Sequence, residues 1–153
     1  MKKLLVFASL FFLFSAIGAN AQSRKSVSAA EVNGTFRSVF KGKFKGSYNE
    51  IKILALGKGK LRVAFELVYP YIDGTGEQSA NLGTADGTAT IAGDTAIYSS
   101  DEFGQCKITI KFLKPGTIKI TQNGTDSDCG FGHNVNANGT YKKTSSAKPK
   151  FGQ

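Results

Sequence analysis

LRVAFELVY, Leu61 to Tyr69, decides the fold. Leu61, Val63, Phe65, Leu67 and Tyr69 occupy every second position, and Arg62 and Glu66 fall between them. Successive side chains of a strand point to opposite faces, so this period of two predicts a strand with one apolar and one wet side. CKITIKF, Cys106 to Phe112, repeats the pattern, with Cys106, Ile108, Ile110 and Phe112 opposite Lys107, Thr109 and Lys111. Working outward, the same reading predicts strands over 34–40, 48–56, 84–91, 95–99, 117–122 and 139–143. Turn signals separate them: Gly57-Lys58-Gly59, Asp73-Gly74, Gly93-Asp94, Pro115-Gly116 and Asn123-Gly124. The expectation is all-β, a single antiparallel domain of about eight strands, forming an up-and-down barrel or a nearly closed sandwich.

One repetition bears on closure. NGTFR begins at Asn33 and NGTYK at Asn138, close to the two ends of the strand series. If GTFRSVF pairs with GTYKK, the sheet closes and neither edge stays open to aggregation. Phe36 and Tyr141 are then equivalent aromatic plugs behind Asn-Gly turns. The three NGT triplets are formal glycosylation sequons, read here as turns because the chain's start looks bacterial.

That start is MKKLLVFASLFFLFSAIGANA, with Lys2 and Lys3, an apolar run, and small residues ending at Ala21. The pattern predicts a signal peptide over 1–21, with cleavage before Gln22. The apolar run is short for a bilayer span. Export to the periplasm or the medium follows. In that oxidising setting, the only two cysteines, Cys106 and Cys129, are expected to form a disulfide. Residues 22–31 read as a flexible linker, 32–143 as the domain, and 144–153, TSSAKPKFGQ, as a disordered basic tail.

Charge is segregated. Residues 22–62 carry a net +8, 63–106 a net −7 with no basic residue, and 107–153 a net +6. Neighbouring strands could satisfy one another this way, or the surface could be dipolar and attract a charged partner.

No catalytic constellation stands out. The chain has no G-x-S-x-G, no H-E-x-x-H and no phosphate-binding Gly-Lys-Ser/Thr motif. His133 is the single histidine, and two cysteines with one histidine fall short of a closed zinc set. Asp126 and Asp128 lack the spacing of a calcium loop. No metal, no cofactor and no enzyme activity are expected. FKGKFKG, Phe40 to Gly46, would in extended form put Lys41, Lys43 and Lys45 on one side and Phe40 and Phe44 on the other. Such a ladder suits an anionic envelope polymer or lipid headgroups, or is a solvated edge whose lysines oppose aggregation. Export argues against nucleic acid as the partner.

CGFGHNVNANGTY, Cys129 to Tyr141, is the most distinctive stretch, with Gly130 and Gly132 flanking Phe131. It resembles a set of small secreted bacterial proteins whose late half reads C-x-hydrophobic-x-hydrophobic, then CGFG-x-x-V-x-x-x-G-x-Y. The match runs from Cys106 to Tyr141, with NEIKILALG, Asn49 to Gly57, as a weaker earlier one. The resemblance implies a small exported β-domain with a disulfide. A fainter likeness is to periplasmic lysozyme inhibitors, also small disulfide-bonded barrels. Their inhibitory loop motifs have no counterpart here, so no inhibitory residue is carried over. The resulting expectation is an exported non-enzymatic binding protein of the bacterial envelope, recognising an anionic component or another protein, with Lys41, Lys43, Lys45, Phe131 and His133 as candidate contacts. The alternative is an inhibitor of a cationic hydrolase such as lysozyme, acting through the acidic middle segment.

Overall fold

The structure, a computed structural model, describes residues 26–152. The expected signal peptide lies outside the described residues. Eight strands follow the sequence reading: β1 Gly34–Val39, β2 Tyr48–Gly57, β3 Lys60–Ile72, β4 Gln78–Ala92, β5 Thr95–Ser100, β6 Cys106–Lys114, β7 Thr117–Asn123 and β8 Gly139–Ser145. Each pairs antiparallel with its sequence neighbour, and β8 returns to β1, giving a closed up-and-down barrel. Tight turns at 58–59, 93–94 and 115–116 mark one end, which also holds the N-terminal segment. The longer loops 40–47, 73–77, 101–105 and 124–138 mark the other.

The repeated NGT phrase is a strand-starting device used twice. Gly34 pairs with Ile53, and Gly139 pairs with Ile120. Two residues further along each partner strand, the Asn side chain takes over the ladder: Asn33 Oδ1 accepts from Ala55 N–H at 2.6 Å, and Asn138 Oδ1 accepts from Gln122 N–H at 2.8 Å. Two residues the other way, Phe36 faces Ile51 and Tyr141 faces Ile118, both aromatics fully buried. Because β1 and β8 are antiparallel, the two copies sit at opposite ends of the barrel. They begin strands rather than turning hairpins, and each spares the neighbouring strand an unpaired N–H.

Side chains fill the interior, as an eight-stranded barrel allows. Phe36, Ile51, Ile53, Val63, Phe65, Ile108, Ile110, Ile118 and Tyr141 are essentially inaccessible. β4 makes room for them. Its inward positions include Gly83 and Gly87, and a Cβ on Gly87 would lie 2.9 Å from the Tyr98 ring. Tyr98 and Phe65 meet with ring centroids 5.5 Å apart. Tyr141 donates its hydroxyl to Ala137 O at 2.9 Å, and burial pushes its pKa up to about 12, against a side-chain hydrogen bond with Asn49.

Three expectations are corrected in detail. Tyr69 has the parity of the buried face yet is 40 % exposed, because β3 and β4 run past the rim and Tyr69 pairs with Asn81 there. The expected linker holds a helical turn, α1 Ala29–Val32, with a capping box between Ser28 and Glu31. Val32 is buried, and Lys143 Nζ donates to the carbonyls of Ala30, Glu31 and Asn33, clamping α1 onto the barrel's end. The expected tail begins inside β8. Beyond it, Pro149 is buried and the Phe151 ring lies 4.5 Å from Arg62 Cζ, so the segment lies against β3.

Candidate binding surfaces

The long loop 124–138 carries two of the candidate contacts and closes the barrel end it stands on. Cys129 is bonded to Cys106 at the start of β6, as expected. Asp126 and Asp128 are staples of this loop. The Asp126 carboxylate accepts from the N–H groups of Ser127 and Asn134, and that of Asp128 accepts from the N–H and hydroxyl of Thr125. These bonds hold both carboxyls below their ordinary range, with the Asn134 and Thr125 backbone amides as the leading causes.

Thus braced, the loop drives Phe131, Val135 and Ala137 into the barrel. Gly83 receives them: a Cβ there would lie 2.8 Å from Val135 Cγ1 and 2.9 Å from Phe131 Cβ. Gly132 N–H donates to Leu82 O, and a Cβ on Gly132 would stand 2.6 Å from that oxygen. CGFG is therefore a docking motif in which Gly132 permits backbone contact and Phe131 supplies the plug. The expectation of Phe131 as a surface contact is corrected, since it is 6 % exposed and packs inward. His133 remains outside, its side chain 83 % exposed and Nδ1 4.0 Å from Asp126 Oδ2. Its carbonyl accepts from Asn81 Nδ2.

Lys41, Lys43 and Lys45 belong to the 40–47 loop at the same end. The extended ladder is not formed. Gly42–Phe44 turns as a single 3₁₀ segment, Lys45 N–H donates to Gly42 O, and Lys43 Nζ lies 5.0 Å from the Phe44 ring centroid. All three lysines are exposed, so the loop presents a cluster rather than a ladder.

Below this loop the outer wall is banded. Val39 pairs with Tyr48, and Val68 pairs with Leu82. Extending the Glu50 to Glu66 register by two residues puts Tyr48 beside Val68. Val39, Tyr48, Val68 and Leu82 therefore form one apolar row across four strands, with Val39 61 %, Tyr48 40 % and Leu82 66 % exposed. The next row is charged: Arg37 Nε bonds Glu50 Oε2 at 2.5 Å, and Lys52 bridges Glu50 at 3.6 Å and Glu66. Hydrogen bonds to Glu50 and Glu66 raise the Arg37 and Lys52 pKa values respectively. Arg62 pairs with Asp86 at 3.3 Å. Lys52–Glu66 and Arg62–Asp86 join the basic first segment to the acidic middle one, so part of the charge segregation is complementarity between neighbouring strands.

Sequence reasoning missed the apolar row. Its members have outward parity on four different strands, and only the register brings them together. Among the described residues no group of three or more His, Cys, Asp or Glu side chains is placed to hold a metal, and no helix is long and apolar enough to cross a membrane. The geometry defines a plugged eight-stranded barrel with a basic loop and an apolar row at one end. No protein-family model, no curated protein and no solved structure matches the chain.

Proposed function

We propose that this is an exported, non-enzymatic binding protein that docks on an anionic lipid surface of the bacterial envelope through the 40–47 loop and the apolar row beneath it. One observation carries the reading. The Val39–Tyr48 pair that begins the row is also the base of the loop holding Lys41, Lys43 and Lys45. Exposed lysines directly above exposed apolar side chains are what an anionic interface rewards, cations at the headgroups and Val, Tyr and Leu at the acyl boundary. Arg37, with Cζ 4.0 Å from the Tyr48 ring centroid, stacks on the row's edge with its charge held by Glu50.

Each basic residue near an anionic surface contributes about 1 kcal/mol, so replacing the three lysines with Ala should weaken partitioning about a hundredfold at low salt. Co-sedimentation with phosphatidylglycerol vesicles, with phosphatidylcholine vesicles as control, measures this directly. The reading requires preference for the anionic vesicles, relief by salt, and loss in the triple variant. Equal retention on neutral vesicles, or a triple variant that binds as well as the parent, refutes it.

A further inference from the structure

The barrel closes, but one seam is only half zipped. β3 and β4 pair over their whole length, Lys60 with Thr90 through Ile72 with Gln78. On its other side β4 pairs with β5 only at Ala89, Thr90, Ile91 and Ala92. Higher up, loop 124–138 takes the Leu82 carbonyl through Gly132 N–H. Thr84 and Asp86 lie between these two contacts. Backbone groups of a strand alternate sides, and Ile91 N–H donates to Gly59 O on the β3 side while the Leu82 carbonyl faces the seam. The N–H and C=O of Thr84 and Asp86 therefore face the seam, and no strand pairs with them there.

A cleft of about 610 Å³ wraps this free edge. Tyr98, Phe65 and Cys129 line it from the core side. Its polar lining is acidic, with Glu102, Asp86 and Glu66 against the single lining cation Arg62; Asp86 holds Arg62, Lys52 bridges Glu66 from outside the cleft, and the chain's own Gly152 closes one side. Phe103, 65 % exposed, stands at the side. An unpaired strand edge is a template for another strand. We infer that this seam is a strand-addition site for an extended, cationic segment of another protein, whose backbone pairs with Thr84 and Asp86 while its Lys or Arg side chains meet Glu66 and Glu102. The occupant follows from charge: residues 63–106, which supply most of the lining, include no basic residue. The site adjoins the apolar row, with Glu66 and Thr84 lining both, but is opposite in charge to the lysine loop, so its test turns on a cationic peptide and not on vesicles.

The test uses the oxidised protein and a labelled alternating Lys-Val nonapeptide, with an alternating Glu-Val nonapeptide as control. Fluorescence anisotropy is expected to show saturable binding of the cationic peptide alone, weakened by salt. Hydrogen exchange on the unaltered protein should show new protection at the Thr84 and Asp86 amides. T84P removes a seam-facing N–H and leaves the β3 ladder intact, so affinity should fall about fivefold to tenfold, the loss of one hydrogen bond. A double E66Q and E102Q variant should lose affinity and salt dependence together. Absence of saturable binding, or binding that leaves both amides exchanging as before, overturns the proposal, as does equal binding of the acidic peptide.

Discussion

Gly34 and Gly139 hold the same place in the two NGT strand starts, at φ +143° and +152°, where a side chain is strained. Replacing either with Ala imposes a similar backbone cost of about 1–3 kcal/mol. The surroundings differ. At Gly139 the nearest atom to a new Cβ is the Tyr141 ring at 3.4 Å, ordinary contact. At Gly34 it is the carbonyl oxygen of Ser145 at 2.2 Å, about 1 Å inside any tolerable approach, and that oxygen belongs to the β8 backbone. Relief requires β8 to move away from β1 where Thr35 pairs with Ser145 and the ladder already shifts register. Losing that pairing adds about 1–2 kcal/mol. G139A should therefore cost about 1–3 kcal/mol and G34A about 2–5 kcal/mol. In a domain of this size each kcal/mol lowers Tm by about 4 °C. Paired thermal melts followed by circular dichroism measure the difference, and backbone NMR of G34A should show loss of the Thr35–Ser145 contact. Equal melting temperatures for the two variants would refute the reasoning, because strain alone would then explain both and the β1–β8 contact would carry no clash.

Other outcomes follow from the same structure. Reducing Cys106–Cys129, or replacing either cysteine with Ala, should cost about 3 kcal/mol from the loop it closes, read as a lower Tm under dithiothreitol. K143M withdraws the donor shared by two carbonyls of α1 and that of its C-cap Asn33. It should destabilise by about 1–3 kcal/mol and speed proteolysis before Asn33 more than elsewhere. For Asp126 and Asp128 the folded pKa values lie below the unfolded ones, so their contribution is present at neutral pH, starts to fall below about pH 4, and is lost as pH drops through the lowered values. Hydrogen exchange at Gly132 and Asn134 should be flat from pH 7 to about pH 4 after correction for intrinsic rates, then rise, and D126N should show the rise already at neutral pH.

Much of the fold was legible because alternation is a local property. Ile108, Ile110 and Phe112 announce their face within seven residues; alternation together with turn signals located all eight strands, and the repeated NGT phrase pointed to the pairing of first and last. Tyr69 was misread because parity tells which side a residue points to and not where the barrel ends. The lysine ladder failed for a related reason: Gly42 let the chain turn, and alternation assigned to an extended segment no longer applied. Phe131 looked like a contact from its place in the distinctive CGFG stretch, whereas Gly132 and Gly83 are small so that the loop can press inward. The apolar row and the half-zipped seam depend on register between strands far apart in sequence, which no single stretch encodes.

Hydrogen-exchange footprinting with phosphatidylglycerol vesicles tests the functional account most directly. Docking through the basic loop and apolar row predicts slowed exchange confined to 40–48 and to the neighbourhood of Val68 and Leu82, relieved by salt and absent with phosphatidylcholine. Unchanged exchange in those segments, or protection centred on another wall of the barrel, would contradict it.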